Sequence, residues 1–348
     1  MNGRKDTLIW NSLADVSRLL QEPEKTIAFV VHPNPDGDAL GSALGLSKLL
    51  GNMGHCCLVI SPNDYPDFLK WLPGAEEICL LSQARIQAID FLKDSDLIFV
   101  IDCNELSRIN LLMEAFNSSD AYKVLIDHHP GPELQVDCIL SDTSASSTAE
   151  LIYRFIEEAG IRKDMDVEVA TCLFTGIMTD TGCFSYNSSN RKTYGTVAAL
   201  LDYGIDKDAV YYKVYDNYST ERMRLLGFCL NEKMEIIPGY HVALISISRE
   251  ELLRYHFQTG DSEGFVNYPL SIRGIRLSAL FMEKDDHIKI SFRSKGNFSV
   301  NDFSRKYFNG GGHVNASGGE SFSSLEETVS RFKAILPAYH DQLSVNED

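Results

Sequence analysis

The chain has no Cys-x-x-Cys pair, no long apolar run, no surplus of positive charge and only 2 tryptophans. Its 8 cysteines fall at 56, 57, 79, 103, 138, 172, 183 and 229, several of them inside apolar runs. This scatter argues against a disulfide frame or a thiolate zinc site, and it predicts reduced, mostly buried thiols in a cytoplasmic protein. No stretch approaches the roughly 20 apolar residues of a membrane span, and the first residues hold no apolar core of signal-peptide length, so no membrane partner is expected. The 32 Lys and Arg against 49 Asp and Glu give a formal charge of −17. Long duplex nucleic acid needs a basic stripe that this balance does not supply, whereas a short phosphorylated ligand needs only local positive charge. A length of 348 residues is enough for two domains.

What is present is organised around His32-Pro33-Asn34-Pro35-Asp36-Gly37-Asp38. Residues 26–31 form a short apolar, β-branched run that reads as a buried strand, and 39–50 place apolar residues at helical spacing. A strand feeding a helix is where open α/β sheets bind ligands. A capping turn, with Asp38 as N-cap, accounts for one aspartate but for neither His32 nor Asp36. Further strands are expected at 57–60, 78–80, 96–102 and 121–127, with helices at 7–20 and 84–92. After Ile139 the pattern turns helical: 146–159, 167–179, 191–203, and 209–230 with a bend, interrupted by a hairpin edge at 183–186. Beyond 237 the chain restarts, with strands at 241–247, 277–283 and 287–293 and helices at 300–308 and 325–336. The predicted fold class is α/β. Residues 1–220 form a mostly parallel sheet flanked by helices, residues 237–348 a second, smaller α/β domain, and a cleft lies between them.

Three strand ends of the first domain carry ionisable groups: His32, Asp36 and Asp38; Asp102; and Asp127, His128 and His129. In a parallel sheet all of them face one edge, and Asp180, at the end of a helical segment, can join them. Four converging carboxylates repel one another unless cations occupy the site, and two divalent ions balance them. Carboxylate and imidazole without thiolate favour Mn²⁺ or Mg²⁺, and paired ions of this kind serve phosphoryl-ester hydrolysis. Taken singly, Asp102 reads as a turn residue and the two histidines as surface groups; their shared position at the ligand edge favours a site. In the second domain, Asn309-Gly310-Gly311-Gly312-His313 offers glycine amides suited to an anion, and Arg293 on the preceding strand can clamp a phosphate.

In this order the residues resemble the DHH phosphoesterases. His32-x3-Asp36-x-Asp38, Asp102, Asp127-His128-His129 and Asp180 are similar to that family's four motifs. Gly310-Gly311-Gly312-His313, with Arg293 upstream, is similar to its DHH-associated C-terminal domain. The resemblance spans essentially the whole chain and is to the small nanoRNase and pAp phosphatase type, often termed exopolyphosphatase-related. It implies two Mn²⁺ per chain, with Mg²⁺ as substitute. One would be held by His32, Asp36 and Asp102, the other by Asp38, Asp102, His128 and Asp180. It further implies that His129 contacts the scissile phosphate, that Asp127 supports the histidines, and that Arg293, Gly310, Gly311, Gly312 and His313 bind the nucleotide end. Arg108 stands where the family often has an arginine. Ser317 replaces an alanine common in relatives. The implied activity is metal-dependent hydrolysis, by hydroxide attack on phosphorus, of short oligoribonucleotides, linear dinucleotides such as pApA, and pAp. Cyclic dinucleotides and inorganic pyrophosphate are the rival substrates. A nucleotide sensor is the non-enzymatic alternative, although it calls for a broken metal site and every expected ligand is present. Such folds are often homodimers, with no residue here arguing for one.

Overall fold

The computed structural model describes residues 8–10, 13–104, 109 and 111–344. Contacts divide the chain into two units, Met1–Asn217 and Tyr218–Asp348. Among the described residues no helix is long and apolar enough to cross a membrane.

In the first unit, β1 (Leu8–Trp10), β2 (Thr26–Val30), β3 (Cys56–Ser61), β4 (Cys79–Leu80), β5 (Leu97–Ile101), β6 (Tyr122–Asp127) and β7 (Cys138–Asp142) form one sheet in the order β1-β7-β6-β5-β2-β3-β4. Only the β1–β7 pairing is antiparallel. Alternate residues of the central strands enter two cores. Ile27, Phe29, Leu97 and Phe99 face one layer of helices, and Ala28, Val30, Ile98 and Val100 the other. Burial on both faces explains why these strands read as unbroken apolar runs. The first layer is α1 (Leu13–Leu20), α2 (Gly37–Asn52), α5 (Thr148–Glu158), α6 (Val167–Asp180), α7 (Arg191–Leu201) and α8 (Lys207–Tyr215); the second is α3 (Arg85–Asp94) and α4 (Met113–Ser118).

Helices α2 and α6 approach unusually closely. Gly37, Gly41 and Gly45 recur every four residues and so share one face of α2. A β-carbon on Gly41 would stand 2.5 Å from the Cys172 carbonyl oxygen, and one on Gly45 would stand 2.8 Å from Leu173 Cδ2. Gly37 faces Thr179 at the far end of α6, so the helices run antiparallel. This brings the start of α2 beside the end of α6.

Three expectations need correction. Residues 7–20 are not one helix: Leu8–Trp10 pairs with the exposed edge of β7, and the helix begins at Leu13. The helical region after 139 is preceded by β7, a five-residue strand that bonds to β6 on one side and β1 on the other. Residues 183–186 are no hairpin edge, because Cys183 and Phe184 take left-handed backbone (φ 54° and 65°) that cannot continue a strand.

The second unit begins with α9 (Thr220–Phe228), where the predicted bent helix breaks after Tyr215 and Ser219 caps the new start by accepting from the Arg222 amide. Its sheet contains β8 (Met234–Ile237), β9 (Val242–Ile247), β10 (Leu277–Glu283), β11 (Ile288–Ser294), β12 (Gly311–Gly312) and β13 (Ala316–Ser321), in the order β12-β13-β11-β10-β9-β8. The β9–β10 pairing is parallel and the others antiparallel. One face packs an aromatic core of Phe281, Phe292, Phe303, Phe308 and Phe332 beneath α11 (Val300–Tyr307) and α12 (Leu325–Ile335), closed by α13 (His340–Ser344). The other packs Leu225, Leu226, Ile245 and Phe265, with α10 (Arg249–Arg254) beside them.

Candidate metal centre

The strand order reverses between β2 and β5. From β2 the chain moves outward to β3 and β4, and from β5 it moves the opposite way to β6 and β7. The connections therefore diverge at the carboxyl ends of β2 and β5, leaving a crevice where such sheets take ligands. His32, Asp36 and Asp38 follow β2, Asp102 follows β5, and Asp127 ends β6 just before His128 and His129. Asp180 ends α6, which the glycine face holds against α2.

These residues converge. His32 Nε2 lies 3.5 Å from Asp102 Oδ2. His128 Nε2 lies 3.8 Å from Asp38 Oδ2, 3.7 Å from Asp102 Oδ1 and 3.5 Å from Asp180 Oδ2. Ligand atoms of His32, Asp36 and Asp102 lie within 4.8 Å of one another, as do those of Asp38, Asp102 and His128. Asp102 belongs to both groups. It takes left-handed backbone (φ 56°), which aspartate tolerates better than most residues.

The N-cap of α2 is Asp36 and not Asp38. Asp36 has extended backbone, and its Oδ1 accepts from the amides of Asp38 and Ala39 at 3.0 and 3.1 Å. Asp38 therefore lies inside the first helical turn, buried, with its carboxylate turned to the start of α5. There Oδ2 accepts from the Thr148 amide (2.7 Å) and Oδ1 from the Ala149 amide (2.9 Å). The Thr148 hydroxyl donates to Asp102 Oδ1 at 2.6 Å. A helix N-terminus thus orients two acidic groups with fixed donors. Thr148 and Ala149 were not sequence candidates. The available signal was Ser147 followed three residues later by Glu150, a helix-start pattern that the structure realises as a cap.

The donor set fits divalent cations. His32 Nδ1 lies 2.8 Å from the Pro33 carbonyl, which only accepts, so Nδ1 carries a proton and Nε2, facing Asp102, is the nitrogen that can ligate a cation. With Nε2 of His32 and His128 3.5–3.8 Å from carboxylate oxygens, a cation can take the place of a proton between them. Burial and the nearby Asp102, Asp180 and Asp36 push the Asp38 carboxyl well above its ordinary range. Burial also pushes Asp180 up, to about 6, against the opposing pull of His128. Burial pushes Asp102 the same way, but His129 and His32 outweigh it and hold Asp102 well below the usual carboxylate range. Without a cation, the crowding of carboxylates raises the proton affinity of Asp38 and Asp180.

Asp127 pairs with His129 beside the shared Asp102, whose Oδ1 lies 3.5 Å from His129 Nδ1. Asp127 Oδ1 accepts from the His129 amide at 2.6 Å and lies 2.8 Å from its Nδ1, while Asp127 Oδ2 is buried without a hydrogen bond. Burial disfavours the imidazolium, yet Asp127 and Asp102 raise the His129 pKa well above its ordinary value. The two carboxylates thus bias the His129 ring toward its protonated form.

In the second unit, Arg293 is half-buried on β11 and its Nη1 donates to the Phe292 carbonyl. The glycine triplet is not a loop of exposed amides. Gly311 and Gly312 pair with β13, the Gly310 amide donates to Ser304 O (3.2 Å), and the His313 amide donates to Ala316 O (2.7 Å). A β-carbon on Gly312 would stand 2.6 Å from the Ala316 carbonyl oxygen, so close strand packing requires glycine there. Arg108 lies outside the described residues.

Residues 26–177 match the model of the DHH family, N-terminal domain, and residues 242–339 that of the DHHA1 domain. An exopolyphosphatase-related protein from Bacteroides fragilis has a crystal structure similar to this one, with 42% identity and a TM-score of 0.91 over 96% of this chain and 97% of its own. The bifunctional oligoribonuclease and PAP phosphatase NrnA of Bacillus subtilis is 29% identical over 86% of this chain and 90% of its own length. The protein of the same name from Thermus thermophilus is 28% identical over 96% of this chain and 95% of its own.

Proposed function

The chain belongs to the DHH family with a DHHA1 domain, and from that premise we propose that it is a divalent-metal phosphoesterase acting on short oligoribonucleotides, linear dinucleotides and pAp. The observation that carries this reading is the sharing of Asp102 between two three-residue ligand groups in one crevice. The two relatives named as oligoribonuclease and PAP phosphatase, each similar over most of this chain, support the substrate class.

His32, Asp36 and Asp102 would hold one ion, and Asp38, Asp102, His128 and Asp180 a second, with Mn²⁺ the proposed metal. Bound there, the ions would supply a nucleophilic water at neutral pH and positive charge for the phosphoryl oxygens. The chain's own groups then have distinct tasks. Asp102, kept ionised by its histidine neighbours, fixes the shared position. The amides of Thr148 and Ala149 keep the Asp38 carboxylate oriented. His129, biased toward its protonated form by Asp127, contacts the phosphoryl group and stabilises the charge that grows on it. Asp127 fixes the ring and keeps the Nδ1 proton in place. In the second unit, Arg293 and the His313 side chain contact a phosphate of the nucleotide end, with Gly310, Gly311 and Gly312 shaping the hairpin that carries His313.

The test is product release from pApA, pAp, a short RNA oligomer, cyclic di-AMP and pyrophosphate, each with Mn²⁺ and with chelator. Mn²⁺-dependent release of mononucleotide from pApA or the RNA, or of phosphate from pAp, is the expected result. Turnover confined to pyrophosphate or to cyclic di-AMP would replace the proposed substrate class. No turnover of any substrate would leave a nucleotide-binding protein.

A further inference from the structure

The segment after Asp180 has an uncommon conformation. Gly182, Cys183 and Phe184 are consecutive left-handed residues, with φ of 53°, 54° and 65°. Only the first is glycine, and for the other two this backbone is costlier than the right-handed alternative. Such strain persists only where the surroundings impose it, and it gathers at functional sites. Here the surroundings are specific. The Thr181 hydroxyl accepts from the Phe184 amide at 3.0 Å, and the Thr181 carbonyl accepts from the amides of Ser185 (2.9 Å) and Tyr186 (3.2 Å). At the far end, Asn187 Nδ2 donates to the Ser146 carbonyl at 3.2 Å, just ahead of the helix start that orients Asp38.

The turn folds Tyr186 back over Gly182. A β-carbon on Gly182 would stand 2.5 Å from Tyr186 Cζ and 2.7 Å from its Oη, so the ring occupies the space a side chain would take. Even so, Tyr186 is 47% exposed. An aromatic ring is thus set against the backbone two residues beyond Asp180 and remains accessible. Phe184, by contrast, turns inward, its ring 6.4 Å from Phe174 in the core. The strained turn places one aromatic ring in the core and leaves the next exposed against Gly182, in the segment that follows Asp180.

We propose that Tyr186 is the stacking platform for a nucleobase of the substrate and so a determinant of nucleotide specificity. This deepens the phosphoesterase reading and rests on it. A base has a π-face whatever its identity, so stacking recognises nucleotides without selecting a sequence. A tyrosine already held against the chain loses little conformational freedom when it stacks, since only two side-chain angles are involved.

The test uses the full chain with Mn²⁺ and two substrates: a 5′-phosphorylated dinucleotide containing 2-aminopurine, and bis(p-nitrophenyl) phosphate, which carries no base. Stacking quenches 2-aminopurine fluorescence, which gives a binding signal separate from turnover. Tyr186→Ala is expected to raise KM for the dinucleotide roughly 10- to 100-fold, with a much smaller change in kcat and loss of the quench. Its loss in kcat/KM on bis(p-nitrophenyl) phosphate should be at least about ten-fold smaller. Tyr186→Phe, which keeps the ring, should restore the dinucleotide KM to within about two-fold and restore the quench. An unchanged KM and quench in Tyr186→Ala would overturn the proposal, as would equal losses on both substrates. A wild-type chain that cleaves the generic ester but not the dinucleotide would overturn the phosphoesterase substrate class and the stacking role together.

Discussion

Gly176 of α6 and Asp38 of α2 meet so closely that a β-carbon on Gly176 would stand 3.0 Å from Asp38 Oδ1 and 2.7 Å from the Ala149 β-carbon. Three helices therefore converge on one carboxylate, and the glycine leaves room for it. Gly176→Ala must push Asp38 off the amides of α5 or push the helices apart. We expect a loss of about 1–3 kcal/mol from overpacking and weaker divalent-ion binding. Urea unfolding with and without Mn²⁺ reads both effects, since the stabilisation by a bound ion grows with the logarithm of its affinity. A variant as stabilised by Mn²⁺ as the wild type would show that this contact does not position Asp38.

Thr148 tests the shared ligand without touching a carboxylate. Its hydroxyl donates to Asp102 Oδ1 at 2.6 Å. Removing such a supporting bond typically costs about 10- to 100-fold in metal affinity or activity. Thr148→Val should show that loss in a Mn²⁺ titration of activity, and Thr148→Ser should recover most of it. Equal losses in both variants would show that the hydroxyl's bond to Asp102 is not what supports the metal site.

How much of this was legible in the sequence depended on what each residue does. His32, Asp36, Asp38, Asp102, His128 and Asp180 are ionisable groups at strand or helix ends, and the strand pattern alone brought them to one edge. The amides of Thr148 and Ala149 left no such trace, because a backbone donor looks the same in every residue. Asp36 and Asp38 are both plausible caps by type. Only the backbone angles at Asp36 decide between them. Short or glycine-rich strands escaped for a related reason. β1 has three residues and gains its hydrogen bonds from an edge that is distant in sequence, and β13 reads Ala-Ser-Gly-Gly-Glu-Ser, without the β-branched residues that mark a strand. The Gly310–Gly311–Gly312 run suggested exposed amides, but the same lack of side chains also lets a hairpin pack tightly, and that use prevails in the structure.

Asp142 gives a pH-dependent prediction outside the acidic cluster. Burial pushes its carboxyl up, but hydrogen bonds from Ser144 and Arg154 outweigh that and hold its pKa below the ordinary value. A carboxylate with a lowered folded pKa contributes stability above its unfolded pKa, and that stability is lost as pH falls through the folded value. Asp142→Asn should therefore be less stable than wild type at neutral pH by about 1–3 kcal/mol, and the gap should close as pH falls below about 4. Urea midpoints of both proteins across this range provide the check; a constant gap would place the effect in packing.

Arg293 separates substrate binding from chemistry. Arg293→Ala should raise KM for a nucleotide substrate more than it slows hydrolysis of a small generic ester, because only the nucleotide presents a second phosphate or its equivalent to the guanidinium. Equal effects on both would mean that Arg293 is not a substrate clamp.

The central claim is that one carboxylate, Asp102, serves two metal positions in a site that hydrolyses short nucleotides. The most direct test is mononucleotide release from pApA by Asp102→Asn and wild type, with saturating Mn²⁺ and with chelator. Asparagine accepts the left-handed backbone of position 102, so the variant should fold, as circular dichroism would verify. The account predicts that Mn²⁺ drives turnover in the wild type and that the variant stays at the level of the chelated protein. Substantial turnover by a folded Asp102→Asn at saturating Mn²⁺ would contradict it.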